Sequence, residues 1–260
     1  MLHLLLEWQD RLTTVLLMFA RIGPIFFILP VLNNSVLANG LIRNAVIFAI
    51  IIGLWPVINT SHPVPELNSI AYVALAFKEV LIGCSIGFTL SLPFWIFNAL
   101  GAYIDVARGS SMGSLLDPTS GQESTEMQNF INFCVCVMYL QLGGMHIILE
   151  ALVQSYANIS LSQGISVNLD VVLPFLGQLF ARGFVLAAPV LLTLLLTESL
   201  LGLLARFTPQ LSAFSVAMTI KSSVAIFVLS LYFWHMVPDQ LPQFMIEYSH
   251  WEILKAVDQQ

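Results

Sequence analysis

Charge is what this sequence has least of: nine Lys and Arg and fifteen Asp and Glu among 260 residues, 9% in all. A soluble globular protein carries roughly 25%. A water-facing surface cannot be built from so few charges, so most of the chain must face lipid or other protein. The net charge of −6 contains no run of like sign and no basic stripe, which excludes nucleic acid as a partner. Cysteine is scarce too. Cys84, Cys134 and Cys136 all lie in apolar stretches, and an odd count with a single Cys-x-Cys gives neither a disulfide framework nor a zinc spacing. They read as small apolar packing residues. Catalytic signatures are missing as well: no His-Glu-x-x-His, no Gly-x-Ser-x-Gly and no P-loop. The histidines are scattered at positions 3, 62, 146, 235 and 250. The expectation is a protein without enzymatic activity, cofactor or metal. A basic signal-peptide start is also lacking. Glu7 and Asp10 precede the first apolar run and Arg21 interrupts it, so that run is expected to be a retained span.

What the chain does have is apolar length, with 58% hydrophobic residues and a mean hydropathy of +0.87. A spanning helix needs roughly 20 apolar residues. Segments 12–32, 70–104, 127–149 and 171–203 qualify, while 45–57 and 222–237 are shorter. The expected fold is an all-α integral membrane protein. About six partly broken, tilted helices form helical hairpins within one membrane domain over 1–260. Polar connections fall at 59–65, 105–126, 150–170 and 206–210, and Pro238 is expected to end the last helix and open a tail over 238–260. Breaks at membrane depth survive only where the freed backbone is buried in protein or lines a wet cavity, which suggests assembly with partners. Arg43, Arg108, Arg206 and Lys221 fall on one side of such a bundle, and Arg11 and Lys255 on the other. The positive-inside rule then places both termini outside.

Charges inside the apolar runs carry the strongest signal, because each costs about 2.5–3.5 kcal/mol at a helix centre. Arg21, Lys78, Glu79, Arg182, Glu198 and Lys221 are such residues, and Arg206 lies at a helix break. Interhelical or intersubunit pairing, a transport-coupling site and snorkelling at helix ends all remain open for them. Lys78 and Glu79 are adjacent and project about 100° apart on a helix, which favours separate partners. Gly83 and Gly87 form a Gly-x-x-x-Gly that permits close helix approach. The central loop contains Arg108, Gly109, Ser110, Ser111, Met112, Gly113, Leu115, Leu116 and Asp117. A surface connector has no need of Met112, Leu115 and Leu116, so the loop is expected to tuck in as a plug or lid, with a floppy connector as the alternative.

Several blocks resemble one family: RIGPIFFILPVLN at 21–33, Lys78-Glu79, PFWIF at 93–97, RGSSMGSLLDPTSGQESTEM at 108–127, and LLARFTPQLSAFSVAMTIKSSVAIF at 203–227. In that order they are similar to the T-type export-apparatus subunit of type III secretion systems (the SpaR/YscT/EscT type, related to flagellar FliR), more the virulence than the flagellar branch. The resemblance spans about 10–235. It implies a multi-pass protein of the bacterial inner membrane that assembles with R-type and S-type subunits. Together they surround the channel for unfolded polypeptides and seed the inner rod and needle. It further implies an R-like portion over about 1–150, an S-like helical hairpin over about 170–237, and a plug at about 108–125. Partners would include other export-apparatus membrane proteins, the inner rod, polypeptides in transit and lipid. A flagellar export-gate subunit of the same superfamily is the first alternative and a secondary transporter the second, but the internal repeats a transporter requires are not evident.

Overall fold

The computed structural model describes residues 2–32, 40–59, 69–109, 126–159, 165–167, 169–207, 213–247 and 254–256. All six apolar segments are helical: α1 (Leu2–Ile28), α2 (Gly40–Asn59), α3 (Ser69–Arg108), α4 (Glu126–Gln141) with α5 (Gly144–Asn158), α6 (Leu169–Phe207) and α7 (Ala213–Glu247). Two three-residue strands, β1 (Ile165–Val167) and β2 (Leu254–Ala256), pair antiparallel with Ile165 opposite Ala256. The protein is thus all-α in class, with this short pairing beside the helices among the described residues. Apolar stretches long enough to cross a membrane lie in α3, α6 and α7, and shorter ones at Leu12–Ile28 and Gly40–Trp55.

The elements differ from the hydropathy reading in several places. The run expected as one span over 127–149 breaks into α4 and α5. Gly143, at φ +84°, adopts the left-handed conformation that ends a helix and that L side chains avoid. Helix α5 then continues through Glu150 to Asn158, into the stretch expected as a polar connection. Helix α7 runs straight through Pro238 and Pro242 to Glu247. Val237, Leu241, Phe244 and Met245 are buried at helical spacing, and that packing outweighs the hydrogen bonds the prolines remove.

The chain packs as two units. The first comprises Met1–Leu92, Gly143–Pro174 and Met245–Gln260, and the second Pro93–Leu142 and Phe175–Phe244. In the first, α1 buries Leu17, Met18, Arg21, Ile22, Ile25 and Phe26, one stripe at helical period. Gly83 lies against the backbone of Arg21 and Gly87 against Ile25, so the Gly-x-x-x-Gly brings α3 onto α1 with no side chain between. In the second, Phe94 packs on Tyr139 with centroids 4.8 Å apart, and Gly183 meets Ala99 and the carbonyl of Ile96.

Candidate functional site

The charged side chains that hydropathy alone makes costly are found in specific clusters. In the first unit, Arg21 and Glu79 are both wholly buried. Arg21 donates from Nε to Glu79 Oε2 at 2.5 Å, from Nη1 to Ser155 Oγ at 3.2 Å and from Nη2 to the Ile159 carbonyl at 3.3 Å. Its guanidinium also stacks 4.0 Å from the Tyr156 ring centroid. Ser155 in turn donates to the Leu152 carbonyl at 2.7 Å, which fixes its oxygen as the acceptor for Arg21. The planar fork of arginine suits this arrangement, because its donors reach α3 and the C-terminal end of α5 at once. Lys78 is half-buried, and as the preceding residue on α3 it leaves the helix about 100° from Glu79. Glu79 Oε1 accepts no hydrogen bond among the described residues.

The second unit holds the helix ends on either side of residues 110–125, the expected loop. Helix α3 extends four residues into the expected loop, because the ends of α3 and α4 are joined there. Gly101 lies so close to Gln128 that an added methyl would overlap its Cα. One turn further along the same face, Asp105 reaches the first backbone N–H groups of α4. Its Oδ2 accepts from the Gln128 N–H at 3.0 Å, and its Oδ1 stands 3.4 Å from the Met127 N–H. Oδ1 also accepts from Arg108, Nε at 2.9 Å and Nη2 at 2.7 Å. Helix N-termini leave such N–H groups without an intrahelical partner, and a carboxylate both satisfies them and faces the positive end of the dipole. Gly109 follows with φ +85°, a turn-out that glycine adopts without strain.

A cavity of about 620 Å³ opens beside this root. Arg108 and Gly109 line one wall, and Glu198, Gly202, Met218 and Lys221 of α6 and α7 the others. Lys221 donates to Glu198 at 3.0 Å across the two helices; its side chain is 14% exposed and that of Glu198 is 64%. Of the residues the sequence singles out, the structure therefore joins Arg21 with Glu79, and places Arg108, Gly109 and Lys221 around one cavity. Arg206 is exposed in the last turn of α6, and Arg182 stands over the Phe244 ring at 5.4 Å. Ser110, Ser111, Met112, Gly113, Leu115, Leu116 and Asp117 lie outside the described residues. Sequence reasoning missed Asp105, Glu126 and Ser155. Two signals were present: Asp105 and Arg108 are three apart at a helix end, and Glu126 opens an apolar helix as a first-turn acid.

Comparison with known proteins bears on the whole of this architecture. The family model "Bacterial export proteins, family 1" matches residues 12–245. The surface presentation of antigens protein SpaR of Salmonella typhimurium is 40% identical over 235 residues, covering 90% of this chain and 88% of that protein. The Yop proteins translocation protein T of Yersinia pestis is 31% identical, with 86% and 87% covered. The flagellar biosynthetic protein FliR of Bacillus subtilis is 28% identical, with 85% and 86% covered. The match takes in both charged clusters and residues 110–125, which lie between α3 and α4 in sequence.

Proposed function

Because the chain belongs to the bacterial export proteins of family 1, as a T-type subunit of the type III export apparatus, we propose that it is a core subunit of the export gate in the bacterial inner membrane. It assembles with R-type and S-type subunits around the channel for unfolded polypeptides and seeds the inner rod and needle. The observation that carries this reading is the match over 12–245, at 40% identity to SpaR and 28% to FliR, which favours the secretion branch over the flagellar one. The work is structural, with no catalytic step and no cofactor. The R-like portion covers about 1–150, and the S-like hairpin about 170–237, which corresponds to α6 and α7. The loop from Arg108 and Gly109 onward, through Ser110, Ser111, Met112, Gly113, Leu115, Leu116 and Asp117, seals the resting channel. Small residues with a few apolar ones can pack without much secondary structure to undo, so a passing peptide can displace them.

Co-expression with the R-type and S-type subunits, followed by purification in mild detergent, tests the assembly. A stable hetero-oligomer is expected. A lone monodisperse monomer that carries small solutes across vesicles would overturn the proposal. For the seal, deleting Gly109–Gly113 is expected to raise ion leak across the membrane with the complex intact, and an unchanged leak would count against it.

A further inference from the structure

We infer that Asp105 is the positioning residue of the central loop: its single carboxylate ties the end of the helix leading into the loop to the start of the helix leading out. The inference rests on the sealing role proposed above and adds what fixes the two roots of the seal. Oδ1 holds the last turn of α3 through both Arg108 contacts, at 2.9 and 2.7 Å. Oδ2 holds the first turn of α4 through the Gln128 N–H at 3.0 Å. The carboxylate serves α4 as a cap supplied by a different helix. At 3% exposure, Asp105 has almost no water at hand to take over these bonds if it is lost. Among the described residues, the ionic contact between Arg108 and Glu126 is a poor substitute, because they stand 4.0 Å apart and the Glu126 side chain is 76% exposed.

On its other side the root borders the 620 Å³ cavity, where Arg108 and Gly109 have room to move once the carboxylate lets go. Helix ends are the first places to open. Each residue that leaves a helix end changes its rise from about 1.5 Å to as much as about 3.3–3.6 Å of reach. A loop with slack roots cannot hold its apolar residues at one place in a channel. Asp105 therefore fixes the two helix ends from which the sealing segment starts and returns.

The test uses the assembled complex with three variants, Asp105→Asn, Asp105→Glu and the Gly109–Gly113 deletion, and reads ion leak in vesicles alongside complex yield. Asn keeps the shape of the side chain but loses the charge and one acceptor, so leak is expected to rise by about tenfold at unchanged yield. Glu is expected to restore part of the seal. A second readout stands apart from leak. Spin labels at Val106→Cys and Phe130→Cys, both exposed positions, with Cys84, Cys134 and Cys136 replaced by Ala, report the distance between the two helix ends. A narrow distribution that broadens in Asp105→Asn supports the inference. If the deletion leaks but Asp105→Asn neither leaks nor broadens, the inference fails while the sealing role stands. If the deletion does not leak, the sealing role fails and the distance distribution alone decides whether Asp105 positions the roots.

Discussion

Removing one member of the Arg21–Glu79 pair strands the other as an uncompensated charge in a site closed to solvent, and such losses cost about 3–5 kcal/mol. Replacing both with apolar residues is a different matter, because the desolvation penalty disappears along with the attraction. The pair is also imperfect, since Glu79 Oε1 accepts no hydrogen bond among the described residues. Glu79→Gln and Arg21→Met are each expected to lower the melting temperature of the purified complex sharply. With Glu79→Leu as the matching single change, the double variant Arg21→Met/Glu79→Leu is expected to be milder than either single change. Additive losses across this cycle would show that the two side chains act independently. The sequence marks Arg21 and Glu79 as expensive and gives Lys78 and Glu79 different directions. It does not say which charge meets which, because the partners of Arg21 lie 58, 134 and 138 residues away. Asp105 went unread for a related reason: its role appears only once α4 is placed against Gly101.

At the scale of elements, hydropathy located the long apolar helices among the described residues but misjudged where several of them end. The break at Gly143 is written in two adjacent glycines, 143 and 144, yet apolar residues on both sides hide it from any count of hydrophobic length. Its physical content is the left-handed backbone, which costs an L residue about 1–2 kcal/mol. Gly143→Ala is therefore expected to lower the melting temperature by a few degrees, although no atom stands within 4 Å of the added methyl. Gly177→Ala has equally open surroundings but lies in a helix, where alanine is the better residue, so it is expected to be neutral or slightly stabilising. Equal destabilisation by both would remove the backbone explanation. The C-terminal end of α7 was legible after all. The spacing of Val237, Leu241, Phe244 and Met245 continues the helical stripe past Pro238, and a reading that weighed periodicity above proline would have kept the helix going.

Across the whole molecule, apolar surface is distributed unevenly. Of the apolar stretches long enough to span, that in α3 is 67% buried within the chain, that in α6 33% and that in α7 only 11%. The outer residues of α6 and α7, among them Leu192, Leu196, Leu200, Phe227, Leu231 and Trp234, must therefore be covered by lipid or by other subunits. Trp234, 79% exposed, can report which. In a variant whose other tryptophans are Phe, brominated lipid is expected to quench Trp234 strongly in the chain alone and weakly in the assembled complex. Equal quenching in both states would assign that face to lipid permanently. The Arg21 cluster also has a meaning in time. Its partners arrive in the order Glu79, Ser155, Ile159 as the chain is made, and the last of them follows Arg21 by 138 residues. At about 5–20 residues per second, roughly 7–28 s separate the synthesis of the arginine from that of its final acceptor. For that interval the first helix carries a cation with an incomplete set of partners, so whatever receives the nascent chain must shelter a charge that the finished protein hides completely.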